Sequence, residues 1–314
     1  MDLNDIIDAK KRIEPYIYKT PIIRIPQLDE YLNCRVYLKA ENLQLTNSFK
    51  IRGALNKMLK SKEDLKNGVV ATSSGSHGIA VAYSAKMLNI PAIIILRDTS
   101  PEHKRKTIKD LGADVMPMPY HLRYAKAREI EETLNYTYIH PYENEDIISG
   151  HGTLGLDILE NMHFDKIVIP MGGGGLAAGL STAVKSTSPK TQIFGCEPSV
   201  IGKFSKSLRF GELIESEYVK SVADALLPLK PGEIPFPYIK NNLTKMFAVD
   251  ESKIIEGEKL LINKGKLIAE ISSAIVFGAA LQFPEYFNKN DDVCFVISGG
   301  NTDINYIQSQ IGKG

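Results

Sequence analysis

Residues Leu45 to Ala54 read Leu-Thr-Asn-Ser-Phe-Lys-Ile-Arg-Gly-Ala, with Lys50 near the middle of the stretch. Asn47 and Ser48 are good N-cap residues. Apolar residues then recur at helical spacing, at Ile51, Ala54, Leu55 and Met58. The pattern predicts a helix with Lys50 in its first turn. The positive end of the helix dipole lowers the pKa of an ammonium group there, which favours a lysine that acts as a nucleophile or forms a Schiff base.

Taken alone, the position of Lys50 is weak evidence for a catalytic lysine, since most of the 38 basic residues are expected to be solvated surface charges. The net charge is only +1, so the composition does not favour nucleic acid or an anionic membrane as partner. Cys34, Cys196 and Cys294 are too far apart for metal-ligand spacing and are expected to be buried thiols in a reducing compartment. With no apolar leader and no long apolar run, we expect a cytoplasmic protein that acts on a small molecule.

Short apolar runs alternate with helical patterns along most of the 314 residues. This alternation predicts an α/β fold of two domains, each an open, mostly parallel sheet covered by helices on both faces. We expect a large domain of residues 1–55 and 146–314, and a small domain of residues 56–145. Residues 204–237 are expected to be irregular. Ligands of such folds bind at the carboxyl ends of strands, which places the site in the cleft between the sheets.

Three polar, glycine-containing loops follow predicted strands, at residues 72–78, 171–176 and 298–301. In the second loop Gly172, Gly173, Gly174 and Gly175 lead directly into a predicted helix. Glycines allow close approach of a ligand to the backbone, and a helix start directs N–H groups at it. A tight strand-to-helix turn alone needs only one or two glycines, so four predict a phosphate cradle.

A dinucleotide site is an alternative reading of the same loop. Residues 173–178, Gly-Gly-Gly-Leu-Ala-Ala, satisfy the Gly-x-Gly-x-x-Ala form of the dinucleotide fingerprint. Glu197 ends the next predicted strand, where a ribose-binding acid is expected, although Pro198 follows it directly. An NAD-dependent oxidoreductase is therefore an alternative function, and a more distant one than the alternatives given below. A P-loop is excluded because no Gly-Lys-Ser/Thr follows the glycines.

The motifs occur together as an ordered set: Ser48-Phe-Lys-Ile-Arg-Gly-Ala54, Ser73-Ser-Gly-Ser-His-Gly78, the four glycines and Ser298-Gly-Gly-Asn301. Further matches are residues 139–142, 150–153, 196–198 and 223–225. The set resembles pyridoxal-phosphate enzymes of the tryptophan-synthase-β type (fold type II), and within them the serine/threonine dehydratase and serine racemase family. The resemblance covers nearly the whole chain.

The resemblance implies roles for residues of these motifs. Lys50 would hold pyridoxal 5'-phosphate as a Schiff base, Phe49 would pack beside the ring, and Ser298 would face the pyridine nitrogen. The phosphate would bind at Gly172, Gly173, Gly174, Gly175 and Leu176. A hydroxyl stabilises a protonated pyridine less than a carboxylate does, which favours prompt loss of a β-leaving group.

The substrate side is implied in the same way. Lys50 would remove the Cα proton as general base, and Ser73, Ser74, Gly75 and His77 would hold the substrate carboxylate. For His77 a purely structural role, bonded to backbone, is an equal alternative. Ser74 could also serve the opposite face of Cα, where a racemase needs its second acid or base.

Four positions depart from the family pattern. Ser76 stands where the family usually has an asparagine that reaches the cofactor's phenolic oxygen, so the resemblance implies that Ser76 is a cofactor-binding residue, although serine is shorter. Ala225 stands where the family commonly has glycine, and its methyl group reduces the space near that oxygen. Asn47 replaces another glycine, a mild change because asparagine tolerates left-handed backbone. Lys203 takes the place of an acidic residue that joins Glu197 around a divalent cation in some relatives, so we predict no metal site, with the lysine ammonium in place of the ion.

Together these features predict a lyase, a threonine or serine ammonia-lyase that converts L-threonine, L-serine or both to a 2-keto acid and ammonia. A serine or hydroxy-amino-acid racemase of the same fold is the nearest alternative, and a cofactor-holding protein without turnover is another. Homo-oligomers, dimers or tetramers, are expected from the resemblance. Arg123 is near a carboxylate-binding arginine of racemases only if a two-residue gap is allowed, and we expect it to be a surface charge. The sequence leaves open which amino acid is the substrate.

Overall fold

Two sheets organise the chain in a computed structural model that describes residues 1–160 and 162–311. Within those residues the ten strands are β1 Ile22–Arg24, β2 Arg35–Ala40, β3 Val69–Ser73, β4 Ala92–Arg97, β5 Asp114–Met118, β6 Thr137–Tyr138, β7 Lys166–Pro170, β8 Gln192–Pro198, β9 Lys245–Val249 and β10 Asp292–Ile297. The first seven α-helices are α1 Leu3–Ile13, α2 Asp29–Leu32, α3 Lys50–Lys60, α4 Ser76–Leu88, α5 Glu102–Asp110, α6 Arg123–Leu134 and α7 Glu145–Leu159. The remaining six are α8 Gly175–Thr187, α9 Lys203–Phe210, α10 Pro235–Asn242, α11 Glu251–Leu260, α12 Ile271–Gln282 and α13 Ile304–Ile311.

The larger sheet has six strands in the order β1-β2-β10-β7-β8-β9, and the smaller sheet has four in the order β5-β4-β3-β6. Strand β1 is antiparallel to β2, and every other pairing in the two sheets is parallel. Central strands such as β3 and β7 are buried along their whole length. Continuous burial is expected for parallel strands covered by helices on both faces, so the predicted fold class is confirmed.

The predicted helix around Lys50 is confirmed, and Ile51, Ala54, Leu55 and Met58 are its fully buried face. The predicted caps are wrong. The N-cap is Phe49 and no side chain caps the helix. Ser48 instead forms an isolated antiparallel bridge with Gly299. Asn47 adopts a left-handed conformation with φ +52°, as expected of an asparagine that replaces glycine.

The predicted irregular stretch, residues 204–237, contains all but the first residue of α9 and the start of α10. Proline misled the interpretation here, because Pro235 is the first residue of α10 and proline is compatible with the first turn of a helix.

All three cysteines are buried free thiols, as expected. Within residues 1–160 and 162–311, no helix is long and apolar enough to cross a membrane. The smaller sheet is built from residues 69–138, inside the predicted small domain, whose boundaries after residues 55 and 145 remain a prediction.

Candidate active site

A cavity of about 1060 Å³ of empty space, partly open to solvent, lies between the two sheets. The carboxyl ends of β3, β4, β7 and β10 lead into its lining. All three polar loops identified in the sequence contribute to its wall, through Ser74, Gly172–Gly175 and Ser298. The fold therefore brings together motifs that are more than 200 residues apart in the chain.

Lys50 reaches this cavity from the first turn of α3 and is only partly exposed. Its Nζ donates to the backbone oxygen of Pro141 (3.1 Å) and lies 5.0 Å from the centre of the Phe49 ring. Within the described residues it has no carboxylate within 4 Å. Burial lowers the pKa of Lys50 to about 8. The neutral amine is therefore far more populated than in an ordinary lysine, as a nucleophile or base requires.

Backbone hydrogen bonds hold the Lys50 segment against the loop that follows β10. The Phe49 N–H donates to Ser298 O (3.0 Å), and the Gly300 N–H donates to Asn47 O (2.8 Å). These bonds fix the start of α3 beside Ser298, so Lys50 and Ser298 line the same part of the cavity.

A buried ionic cluster anchors α3 through Arg52. Arg52 donates to both oxygens of Glu41 (2.8 and 2.9 Å) and lies 2.8 Å from Asp157. It also donates to Thr153 Oγ1 (3.1 Å). Arg52 and Glu41 are almost completely buried, so their charges compensate each other where water cannot.

The glycine loop leaves no room for side chains. A Cβ on Gly173 would lie 2.3 Å from the ring of Tyr142, and Gly174 has a left-handed φ of +102°. Helix α8, which is 13 residues long, begins at Gly175 directly behind the loop. Its first turn carries N–H groups without partners inside the helix, which suits a bound anion. The loop therefore has the shape and polarity of the predicted phosphate cradle.

Ser298 offers a neutral hydroxyl to the cavity. Its Oγ is 3.1 Å from Ser273 Oγ, and Ser273 also accepts from Gly299 N–H (3.0 Å) and donates to Gly299 O (3.0 Å). Ser273 was not singled out from the sequence, because it lies in α12 without a motif around it. A buried pair of hydroxyls, with no acid bonded to it in the described residues, suits an aromatic nitrogen that stays unprotonated.

The serine loop is only partly arranged as expected. Ser73 accepts hydrogen bonds from Gly75 N–H (2.8 Å) and Gly78 N–H (2.9 Å), so its hydroxyl already caps the start of α4. Ser74 lines the cavity, is partly exposed and makes no side-chain hydrogen bond with the described residues. Gly75 has a φ of +157° and packs against the side chain of Lys104. Of the two hydroxyls, Ser74 is the one free to meet a ligand.

His77 lines the cavity, but its Nε2 is 2.9 Å from the backbone oxygen of Ile139. Burial, aided by the charge of Lys50, lowers the pKa of His77 to about 3. The ring is therefore neutral and bonded to backbone, as in the structural alternative. His140 is also neutral, since burial lowers its pKa to about 3. Its Nδ1 accepts from Tyr142 N–H and Glu143 N–H and so positions Tyr142 against the glycine loop.

Ser76 takes part in a network that the sequence did not reveal. Its Oγ donates to Glu270 Oε1 (3.2 Å) and accepts from Asn301 Nδ2 (3.0 Å). Lys104 lies 2.8 Å from the same Glu270 oxygen, and both charged side chains are almost fully buried. Although burial lowers the pKa of Lys104, Glu270 raises it above the ordinary value. Ser76 therefore belongs to a charged bridge between the halves of the cavity.

Two arginines also line the cavity. Arg97 ends β4, and Arg123 begins α6. The prediction that Arg123 is a surface charge is wrong, because the residue is only 5% exposed. The tertiary fold buries it, and no local pattern at the start of an otherwise polar helix could have shown that.

Both carboxylate oxygens of Glu197 already accept hydrogen bonds within the protein. Its two carboxylate oxygens accept from Phe204 N–H (3.0 Å) and Ser205 N–H (2.7 Å) at the start of α9. This use removes it as a ribose ligand, which argues against the dinucleotide alternative. Lys203 Nζ lies 3.6 Å from Glu197, and both side chains are fully buried. The Lys203 ammonium thus lies where a divalent metal cation could otherwise pair with Glu197. The absence of a metal site remains a prediction.

Comparison with known proteins identifies the chain's relatives. Residues 13–299 match the family model described as pyridoxal-phosphate dependent enzyme. The chain is 36% identical over 316 aligned positions to the L-threonine ammonia-lyase of Thermotoga maritima, covering 99% of this chain and 78% of that protein. It is 36% identical over 313 positions to the serine racemase of Dictyostelium discoideum, covering 97% and 96%. A solved structure of a threonine deaminase from T.th. superposes with a TM-score of 0.92 at 35% identity, covering 97% of this chain and 99% of that one.

Proposed function

The chain belongs to the pyridoxal-phosphate-dependent enzymes, and we propose that it is an ammonia-lyase of that family, which converts L-threonine, L-serine or both to the 2-keto acid and ammonia. One observation carries the proposal: a lysine amine of lowered pKa shares a cavity with a side-chain-free anion cradle and a neutral hydroxyl pair. The names of the threonine ammonia-lyase and threonine deaminase relatives support the substrate class.

The residues present fit pyridoxal phosphate. Gly172–Gly175 and Leu176 would bind the phosphate through backbone groups, since any Cβ on Gly173 would meet Tyr142. Lys50 would form the covalent link, Phe49 would pack beside the ring, and Ser298 would face the ring nitrogen. When bound, this cofactor withdraws electrons from the carbon next to the amine it carries and so weakens the Cα–H bond of an amino acid.

Lys50 then acts as the base. Its pKa of about 8 lets the amine accept the Cα proton near neutral pH and hold it only weakly afterwards. Because burial lowers the pKa of His77 and of His140 to about 3, both imidazoles are far weaker bases than Lys50 and do not compete with it for the proton. Ser298, which is hydrogen-bonded to Ser273, would offer the ring nitrogen a hydroxyl in place of a carboxylate. This would favour prompt departure of the β-hydroxyl as water over long-lived charge on Cα.

The start of α4 would hold the substrate carboxylate. Ser74 presents a hydroxyl free of protein partners among the described residues, and the first turn of a 13-residue helix follows at Ser76. Ser73 would contribute indirectly, since its hydroxyl already holds the Gly75 and Gly78 N–H groups in place. Gly75 keeps the loop in a conformation that side chains rarely adopt. His77 would act as a neutral wall of the subsite.

The same free hydroxyl supports one second candidate, a racemase. Ser74 and Lys50 line the same cavity, and inversion at Cα needs a second acid or base beside the lysine. A racemase would return the proton to the other face of Cα without loss of the β-hydroxyl. The serine racemase relative supports this alternative.

We further propose that the protein acts in the cytoplasm and forms homo-oligomers. Three buried free thiols support a reducing compartment. Exposed apolar side chains such as Phe210, Ile268 and Ile304 are suited to contacts between subunits. Light scattering on the eluting protein would measure the oligomeric state.

The test is a proton NMR time course of the purified protein with added pyridoxal phosphate and either L-serine or L-threonine in heavy water. The lyase predicts pyruvate from serine or 2-oxobutanoate from threonine, together with ammonia. Exchange of the Cα proton with formation of the D-amino acid, and no keto acid, would favour the racemase. Neither product from a protein with bound cofactor would contradict both proposals. Lys50→Ala should form none of these products, whereas the matched control Lys106→Ala, which changes an exposed lysine, should form them as the unaltered protein does.

A further inference from the structure

His103 joins the two halves of the molecule outside the main cavity. It is the second residue of α5, on the smaller-sheet side, and its ring lies against the segment that follows β10 of the larger sheet. Its Nδ1 lies 2.8 Å from Asp303 Oδ2, and its Nε2 lies 3.2 Å from the backbone oxygen of Asn301. No motif in the sequence singled out this histidine, and the proposed chemistry does not use it.

Both ring nitrogens of His103 therefore face oxygen acceptors. A neutral imidazole carries one N–H group, so it would turn a bare nitrogen lone pair toward either the Asp303 carboxylate or the Asn301 carbonyl. An imidazolium carries two N–H groups and donates to both oxygens. The bond to the carboxylate is then charge-assisted. The hydrogen bonds of this arrangement are complete only when His103 is protonated.

Asp303 is held in place independently of His103. Its other carboxylate oxygen, Oδ1, accepts from Tyr306 N–H (2.8 Å) at the start of α13, and its backbone oxygen accepts from Ile307 N–H (3.0 Å). The Tyr306 ring packs edge-on against His103, with the ring centres 6.1 Å apart. The start of α13 thus offers the imidazole a fixed carboxylate and an aromatic neighbour.

Asn301 connects this contact to the main cavity. Its Nδ2 donates to the backbone oxygen of Thr46 (3.1 Å), in the segment that precedes Lys50, and to Ser76 Oγ (3.0 Å) at the start of α4. Asn301 is 7% exposed, so close packing prevents it from moving without these partners. His103 therefore acts on the Lys50 segment and on the serine loop at one point, although it does not line the main cavity itself.

The charge that His103 meets directly is that of Asp303. Burial and Asp224 raise the pKa of Tyr306, so this phenol stays neutral beside the ring. Tyr83 of α4 and Thr46 line a second, smaller cavity with His103 and contribute hydroxyl groups only. The charged residues of α5 near His103 are exposed or have other partners: Glu102 is exposed, Lys104 pairs with Glu270, Arg105 donates to the backbone oxygen of Asp98, and Lys106 pairs with Asp110.

We propose that His103 is a positioning residue that holds the two halves of the cavity together when it is protonated and releases them when it is neutral. The imidazolium binds Asp303 and Asn301, keeps the smaller-sheet side against the Lys50 segment and so favours substrate binding. Histidine changes charge between about pH 5 and pH 8. Because both partners favour the protonated ring, the contact contributes at low pH and is lost as the pH rises. Its kinetic consequence rests on the proposed lyase function, whereas the contact itself does not.

The first experiment measures the dissociation constant of L-alanine, which lacks a β-leaving group, for the holoenzyme and its His103→Gln variant at about pH 5.5 and about pH 8.5. Glutamine keeps a donor but carries no charge. The ratio of the two constants cancels the titration of Lys50 and of the ligand's amine, because both proteins share them. We expect His103→Gln to bind about twofold to fivefold more weakly at the lower pH, as for a partly exposed ion pair, and equally at the higher pH.

Three further variants separate charge from shape. His103→Arg keeps a positive charge at both pH values, so it should match the unaltered protein at the lower pH and bind L-alanine more tightly than it at the higher pH. Asp303→Asn removes the carboxylate charge but keeps a residue that can cap α13, and it should match His103→Gln at the lower pH. The double variant should lose no more than either single variant. His121→Gln, which changes an exposed histidine outside the main cavity, should bind normally at both pH values.

The outcomes separate this inference from the proposed function. A ratio that is the same at both pH values would overturn it, because His103 would then act by shape alone or not at all. Nitrogen NMR of the His103 ring, assigned by its absence in His103→Gln, should show two protonated nitrogens at the lower pH, and one protonated nitrogen there would also overturn it. Keto acid from L-serine or L-threonine with a pH-independent ratio would leave the lyase standing. The expected ratios without keto acid from any substrate would support the role of His103 and contradict the lyase.

Discussion

The two walls of the cavity are built in different ways. We call Lys50, Gly172–Gly175 and Ser298 the larger-sheet wall, and Ser74, Ser76, Arg97, Lys104 and Arg123 the smaller-sheet wall. Backbone conformation and backbone hydrogen bonds position the first, as in the bond from Phe49 N–H to Ser298 O. Most of the smaller-sheet wall is positioned by long side chains that bond to residues far away in the sequence, as Lys104 does with Glu270. Backbone-determined sites leave glycines and fixed spacings in a sequence, whereas side-chain networks leave little trace.

Removal of the ionic support beneath the larger-sheet wall should have the largest effect on stability. Arg52→Met leaves Glu41 and Asp157 without their buried partner, so we expect the free energy of unfolding to fall by about 3–5 kcal/mol. Urea unfolding followed by circular dichroism measures the change. Arg35→Met, which removes a half-exposed pair with Asp292, should cost no more than about 1 kcal/mol. Equal losses of unfolding free energy in the two variants would show that burial does not make the Arg52 cluster more stabilising than an exposed ion pair.

The pKa of Lys50 predicts how the larger-sheet wall responds to pH. An amine reacts only when neutral, so its reactivity rises with pH and levels off above its pKa. For the cofactor-free protein, labelling of Lys50 by a limiting acylating reagent should level off above about pH 8. Labelling of the lysine in an unstructured model peptide added to the same sample should still be rising at about pH 10. With a pKa of 8 in place of 10.5, the neutral amine of Lys50 is roughly 300-fold more abundant at pH 7.

Peptide mass spectrometry at a series of pH values measures Lys50 and the model-peptide lysine in one sample. A Lys50 profile that coincides with that of the model peptide would contradict the lowered pKa. Burial would then not keep the amine neutral, and the base role assigned to Lys50 would lose its physical reason.

A single methyl group in the glycine loop should test the cradle. In Gly173→Ala the new Cβ would lie 2.3 Å from the Tyr142 ring, which must move. Overpacking of this kind costs about 1–3 kcal/mol, so we expect the dissociation constant of pyridoxal phosphate to rise between about fivefold and 150-fold. Fluorescence titration of the cofactor measures it. Gly112→Ala, at a φ of +90° with open space around it, should lower stability and leave the dissociation constant unchanged.

The smallest effect is expected on the smaller-sheet wall. Ser76→Ala removes one bond to Glu270 and one from Asn301, but the Lys104–Glu270 pair remains. We expect the free energy of unfolding to fall by about 1 kcal/mol and kcat/KM to change by no more than a few-fold. A loss of activity above roughly a hundredfold with the stability unchanged would mean that Ser76 itself contacts the cofactor, as the resemblance first implied.

The same contrast explains which predictions succeeded. Strands such as Ala92–Arg97 and the helix that begins at Lys50 were predictable, because apolar periodicity reports burial. The helix Pro235–Asn242 was missed, because a proline stands both at its start and inside its first turn. The sequence pointed to Lys50, the glycines and Ser298 through motifs. It could not show that Arg123 is buried, since distant parts of the chain determine its burial. Nor did a motif show that the hydroxyl of Ser73, the last residue of β3, accepts from the Gly78 N–H at the start of α4.

The most direct test of the account is to identify the residue that carries the cofactor. The purified protein would be incubated with pyridoxal phosphate, reduced with borohydride and digested, and the modified peptide would be sequenced by mass spectrometry. We expect stoichiometric modification of Lys50, which borohydride fixes by reducing its carbon–nitrogen double bond. The modification should be lost in Lys50→Ala but not in Lys106→Ala. Modification of another lysine, or undiminished modification in Lys50→Ala, would contradict it.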